Sequence, residues 1–407
     1  MLLATPYEGL EIHRADKLVY GRFLIPHAVL STSRHLGGYQ EGLEYLANHQ
    51  SCEPAGHSRG LLTLTDPAGY QAQVLRPQGL DPEKCALLGT AANMRLLVIK
   101  TESFEELTVA AAVTGGVESN AARAGDPAVG HEGPNGYRSL SPPPQTPNPD
   151  KESPSEELDK TPSPHDGTIN ILVFVNRPLT PGALVRGVSM ITEGKTAALM
   201  ELGVNSRYSS QLATGTGTDQ IGLASRLLPG VKPMSGGGHH IKLGELMGQV
   251  AHAATREVLV RQNGLTPDRQ CSVKILLERF NLKPDGRRRL SSLELVERIG
   301  RFLGEAEKEL LAYNYRGCFH DPFIVAATLA LTSLRDKFVW GVLPILMWPE
   351  IMGAFAGQLA AAVSGRLELA DSYARRLAPP PNANLDDEAF LTLVARSLAL
   401  GFVDKWS

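Results

Sequence analysis

Apolar positions along this chain recur with two different periods. Short runs such as LLTLTD (61–66), LTVAAAVTGGV (107–117), INILVFVN (169–176) and QIGLAS (220–225) have the length and β-branched content of strands. Two longer stretches repeat at helical spacing. In one, Thr180 and Pro181 form an N-cap and first turn, Leu184, Val188 and Ile191 share a face, and Gly203 stops the run. In the other, over 241–263, Leu243, Leu246, Val250, Ala254 and Val258 repeat before Asn263-Gly264. Strands alternating with helices predict an α/β or α+β core, a mixed sheet flanked by helices, without fixing strand order.

Beyond Gly264 and Pro267 the pattern becomes helical almost throughout. SSLELVERIGRFLGEAEKELLAYN, DPFIVAATLALTSLRDKFVW and EAFLTLVARSLALGFVDKW each read as a helix, so residues 265–407 are expected to form a C-terminal all-helical module behind a domain spanning 1–264. The apolar stretch FVWGVLPILMWPEIMGAFAGQLAAAV (338–363) reads as a buried helical hairpin. Pro344, Pro349, Glu350 and Gln358 interrupt it short of the roughly 18 apolar residues that a membrane span needs. Residues 139–166 hold eight prolines among Ser, Asp, Glu and Lys, a composition that cannot build a core and predicts disorder.

Composition narrows the class. The 407 residues are 43% hydrophobic and 20% charged, enough to bury a full core, and the formal net charge of -3 supplies no positive field for nucleic acid or an anionic membrane. The basic run Arg287-Arg288-Arg289 follows Pro284-Asp285-Gly286 and reads as a solvated turn. Cys52, Cys85, Cys271 and Cys318 are too scattered for a zinc knuckle or a disulfide scaffold. With no signal-like N-terminus, the expectation is reduced thiols and a cytoplasmic location.

Four segments combine small residues with side chains that move protons or form hydrogen bonds. SGGGHHIKLGE (235–245) runs Gly236, Gly237 and Gly238 into a helix start, where open backbone amides and the helix dipole favour a negative oxygen, and His239 and His240 stand beside it. ATGTGTD (213–219) offers Thr216 and Thr218 hydroxyls and Asp219, which suits orienting a histidine or acting as a base. GGVESNAARAGDP (115–127) contributes Glu118, Asn120, Arg123 and Asp126, and GTINILVFVN (167–176) contributes Asn170. Glu193 and Lys195 lie two apart on the first helix and so do not face each other. Taken singly, each segment is equally well a capped turn or a solvated helix entry. No cofactor is identified; a divalent metal held by ligands from distant segments, such as Asp126 and Asp219, stays open as an alternative.

In this order and spacing the segments resemble the adenosylcobinamide amidohydrolases, the CbiZ family of corrinoid salvage. The resemblance runs from about Leu10 to Asn263 and includes VLSTSRHLGG (29–38), GTINILVFVNRPLTPGALV, ITEGKTAALMELGV and SRYSSQLATGTGTD. It implies hydrolysis of the amide between aminopropanol and the corrin ring, giving adenosylcobyric acid and (R)-1-amino-2-propanol and returning salvaged corrinoids to cobalamin biosynthesis. On that footing the Pro-rich stretch is an insertion inside one domain. Within that reading the local chemistry of the segments is expected to put Asp219 with His239 or His240 in proton transfer, and the Gly237 and Gly238 amides at the oxyanion. Asn120, Arg123, Asp126, Asn170, Glu193, Lys195, Thr216 and Thr218 would bind or orient a corrinoid substrate. A non-catalytic corrinoid-binding module and a metal-dependent amidase for another amide are the competing readings. The helical module lies outside the resemblance and is expected to serve oligomerisation or a protein partner.

Overall fold

The computed structural model describes residues 1–51, 65–134, 136–140, 167–380, 383 and 386–406. Cys52, most of the LLTLTD run and most of the Pro-rich stretch lie outside the described residues. The chain divides into two compact units. One comprises Met1–Gly125, Leu140–Val204 and Ala213–Leu265, the other Asp126–Ser139, Asn205–Leu212 and Thr266–Ser407. The class is mixed α/β, with an all-helical stretch from Pro322 to Trp406.

The first unit is built on two sheets. Strands β1 (Leu2–Tyr7), β2 (Leu10–Ala15), β3 (Leu18–Phe23), β6 (Tyr45–Gln50) and β7 (Cys85–Thr90) make a five-stranded sheet in that order. The second sheet has six strands in the order β5 (Gly38–Glu41), β4 (His27–Ser31), β15 (Gln220–Arg226), β13 (Asn170–Val175), β9 (Leu107–Thr114) and β8 (Val98–Phe104). β13 pairs in parallel with β15 (Val173 opposite Leu223) and antiparallel with β9 (Val173 opposite Ala111). All six β13 residues are buried, as a central strand covered on both faces requires.

Side-chain alternation along β13 separates two cores. Ile171, Val173 and Val175 pack with Leu184, Ile191, Leu243, Met247 and Val250 from two long helices, α2 (Pro181–Glu201) and α3 (Lys242–Asn263). Leu172 and Phe174 face the five-stranded sheet and pack with Leu10, Ile12, Val19 and Leu46. The outer face of that sheet is covered by α1 (Pro67–Leu75), through Leu18, Ala47, Tyr70 and Leu75. α2 is the crossover between the parallel strands β13 and β15. Thr180 caps it by accepting from Ala183 N at 3.2 Å, and Gly203 ends it at φ +61°. Gly264, at φ +63°, ends α3 in the same way.

The second unit holds its own apolar core, drawn from α5 (Val273–Leu277), α6 (Ser292–Gly300), α7 (Glu305–Phe319), α8 (Pro322–Val339), α9 (Trp348–Ser364), α10 (Ala370–Leu377) and α11 (Asp387–Trp406); a short α4 (Pro267–Gln270) precedes them. The stretch 291–314 is two helices and not one. α6 closes after Gly300, and α7 restarts from Gly304, whose extended backbone (φ -71°, ψ 169°) breaks the helix. Between α8 and α9, Val342, Ile345 and Leu346 are exposed, so from the apolar stretch 338–363 it is Phe338, Leu343 and the residues of α9 that pack with the core. By length and composition Ile345–Ser364 is apolar enough to cross a membrane, and 44% of its most apolar window is buried inside the protein. α7 and α8 pass the same test only as a joined pair, and they are bent by 81°.

Candidate active site

Three of the four motif segments meet at the starts of β13 and β15. β10 (Ala121–Ala122) pairs antiparallel with β14 (Gly215–Thr216), which fastens GGVESNAARAGDP to ATGTGTD. Thr214 N donates to Ala122 O at 2.9 Å, and Ala124 N donates to Thr214 Oγ1 at 2.8 Å. The strand start of GTINILVFVN joins them through Ile169 N, which donates to Asp219 Oδ1 at 2.9 Å. Asn120 Nδ2 and Thr218 Oγ1 both donate to Gly167 O at 3.1 Å. Because a hydroxyl carries one proton, Thr218 accepts from Thr168 Oγ1 in their 2.5 Å contact.

An ion pair lies at the centre of this junction. Lys195, from α2, sets Nζ 2.5 Å from Asp219 Oδ2, and the two side chains are only 9% and 13% exposed. Asp219 also accepts from Thr216 N at 3.0 Å and from Thr216 Oγ1 at 2.5 Å. With the Ile169 amide this makes four donors on two oxygens, so the carboxylate is fixed in place and in turn fixes the ammonium. Gly215 leaves room for the pair: a β-carbon there would stand 2.4 Å from Asp219 Oδ2 and 2.7 Å from Lys195 Nζ.

The fourth segment meets α2 elsewhere. Ile241 is the N-cap of α3 and supplies no side-chain acceptor for the first-turn amides. Ile241 N donates to Gly238 O at 3.0 Å, while Gly237 is buried and Gly238 half-buried. His239 Nε2 lies 2.7 Å from Glu193 Oε2, with side chains 64% and 55% exposed. His240 is exposed beside it. Residues two apart on a helix point about 200° apart, so Glu193 and Lys195 leave α2 on opposite sides. One serves the open histidine pair and the other the buried Asp219. Asp219 and the histidines therefore belong to separate groups of side chains.

The remaining expected residues scatter further. Asn170 is fully buried between the sheets, where its Nδ2 donates to Asn48 Oδ1 at 2.8 Å and Gly89 O at 2.9 Å. It sits on the same face of β13 as Leu172 and Phe174, which turns its amide toward the five-stranded sheet. Asp126 clusters with the helical unit and accepts from Ser206 Oγ at 2.5 Å. Arg123 is half-buried next to β10, and Glu118 accepts from Asn263 Nδ2 at 3.3 Å. Among the described residues no three His, Cys, Asp or Glu side chains gather as metal ligands. Thr168 of the buried junction and Asn48, the partner of Asn170 between the sheets, were not anticipated from sequence. Thr168 was visible as a polar residue just before an apolar strand; Asn48 had no signal in its own neighbourhood.

Uncharacterized protein MJ1613 of Methanocaldococcus jannaschii is 33% identical over 238 residues, covering 58% of this chain and 82% of that protein. The sequence profile described as CbiZ, adenosylcobinamide amidohydrolase, matches residues 3–267, which take in the buried junction and the histidine pair alike. With most of its length matched to that profile, the chain belongs to the CbiZ adenosylcobinamide amidohydrolase family.

Proposed function

We propose that this protein hydrolyses the amide between aminopropanol and the corrin ring of adenosylcobinamide, releasing adenosylcobyric acid and (R)-1-amino-2-propanol for cobalamin biosynthesis. The observation that carries the reading is the buried Lys195–Asp219 pair, enclosed by three family segments. Amide hydrolysis adds water to the carbonyl carbon, places negative charge on the carbonyl oxygen, breaks the C–N bond and needs a proton for the departing amine. A lysine ammonium held away from bulk water stabilises such an oxygen more strongly than an exposed one. Asp219 is then a positioning residue for Lys195, and Thr216, Thr218 and Asn120 line the approach as hydrogen-bonding groups suited to a ring fringed with amides.

A second version of the chemistry rests on the 2.7 Å contact between His239 and Glu193. A carboxylate on one ring nitrogen orients histidine as a proton-transfer group, His240 adjoins it, and the Gly237 and Gly238 amides with the open start of α3 offer an oxyanion site. Exposure weakens this alternative, because water screens both partners.

Point variants separate the two. Lys195→Met is expected to lower aminopropanol release, followed by mass spectrometry, by at least about 100-fold, the scale of losing a principal oxyanion donor. His239→Ala and His240→Ala are expected to lose less than about 10-fold. The reverse ranking would transfer the chemistry to the histidine pair. Tight corrinoid binding by the wild-type protein without any release would make it a binding module.

A further inference from the structure

The helical unit carries charge in its interior and directs it at a segment remote from it in sequence. Arg279 and Arg335 are each only 4% exposed. Arg279 grips Asp336 with two bonds of 3.0 and 2.7 Å, and Arg335 pairs with Asp387. Burying such ions is costly even when they are paired. Here further donors of both arginines converge on one residue, for Arg279 Nη1 donates to Ser210 O and Arg335 Nη1 donates to Ser210 Oγ at 3.3 Å. The adjacent position is held by Trp340, whose Nε1 donates to Gln211 Oε1 at 2.8 Å.

Ser210 and Gln211 belong to the eight-residue stretch Asn205–Leu212, which clusters with the helical unit. In sequence this stretch lies between α2, which carries Lys195, and Ala213–Asp219, which carries Thr216, Thr218 and Asp219. Asn205 and Leu212 bridge across its base, and Leu212 is bonded covalently to Ala213. Fixing a residue's backbone costs about 1–2 kcal/mol, so a loop of this length stays ordered only where partners supply that energy. Self-association alone gives the helical unit no reason to spend buried arginines on this loop.

We infer that the helical unit is a brace for the hydrolytic centre: Arg279, Arg335 and Trp340 are positioning residues that fix loop 205–212 and, through the continuous chain, the Gly-Thr segment 213–219. The inference rests on the proposed placement of hydrolysis at Lys195 and Asp219.

The test uses the full chain carrying Trp340→Phe and Ser210→Ala, singly and together. These changes remove the indole donor and the hydroxyl acceptor while leaving every buried arginine its carboxylate. In the double variant, amide hydrogen exchange over 213–219 is expected to quicken about 10-fold, with the thermal melting profile unchanged. The kcat for aminopropanol release is expected to fall about 10-fold and KM to move less than about twofold, since sub-ångström misplacement acts on the reacting geometry. Unchanged exchange over 213–219 in the double variant overturns the brace. Faster exchange in a protein whose wild type releases no aminopropanol supports the brace and rejects the hydrolytic reading, so the two fail separately.

Discussion

Both carboxylate oxygens of Asp219 are occupied, which makes Gly215 the least replaceable neighbour of the pair. A methyl at Gly215 collides with Asp219 Oδ2 and Lys195 Nζ together, so the ends of these two side chains must shift. Gly215→Ala is expected to lower hydrolysis at least about 10-fold and to destabilise the protein by about 1–3 kcal/mol, the range for forced overpacking; a denaturant titration beside the activity assay reads both. His27 sets a different residue-level limit. Its ring is buried against Tyr7 and Phe23, Nδ1 donates to Ile25 O at 2.7 Å, and Nε2 accepts from Tyr7 Oη at 3.0 Å. Burial lowers its pKa from 6.5 to about 4, with the Arg226 charge acting in the same direction and the Ile25 carbonyl opposing. The unfolded chain therefore binds a proton below pH 6.5 that the folded chain refuses until about pH 4. Stability is full above 6.5 and falls as the pH drops through that window, by about 2 kcal/mol at pH 5. Urea midpoints at pH 7 and pH 5 should diverge more in the wild type than in His27→Gln; equal divergence would place the acid sensitivity elsewhere.

At the scale of elements, the crossing of α2 and α3 decides what the helices present. A β-carbon at Gly194 would lie 2.6 Å from Gly248 O, so the two backbones meet at the residue between Glu193 and Lys195. Gly194→Ala must push the helices apart, because the obstacle is backbone. It is expected to cost about 1–3 kcal/mol in a chemical unfolding experiment and to reduce hydrolysis by shifting Lys195 from Asp219. What the sequence made legible here was local. Thr180, Pro181 and Gly203 bounded α2, Gly264 ended α3, and the apolar run 169–176 marked the central strand, because caps and alternation act within a few residues. The face each polar residue serves was not legible in the same way. Glu193 and Lys195 look equivalent along the helix, and only pairing with a distant loop buries one and leaves the other open. Within the family reading Asn170 is expected to bind or orient the substrate. Its phase along β13 turns it between the sheets, toward Asn48 from a strand more than a hundred residues earlier in the chain. The unforeseen break at 301–304 has the same origin, since apolar spacing continued across a point where Gly304 leaves helical backbone.

At the scale of the whole molecule, the apolar cores do not mix. Among the described residues, every buried member of the helical unit's core falls between Val273 and Phe402, and every buried member of the other three clusters falls at or before Leu259. Separate cores of this size are the usual condition for separate cooperative transitions. The chain contains three tryptophans, Trp340, Trp348 and Trp406, and all belong to the helical unit. Tryptophan emission therefore follows the unfolding of that unit alone, whereas the infrared amide I absorption of β-sheet follows the unit holding the two sheets. In the absence of substrate the two midpoints are expected to differ on heating, with two calorimetric components of which one coincides with the emission change. If emission, infrared absorption and heat uptake trace one coincident transition, the cores melt as a single cooperative body and the segments 126–139 and 205–212 carry more coupling than their length suggests.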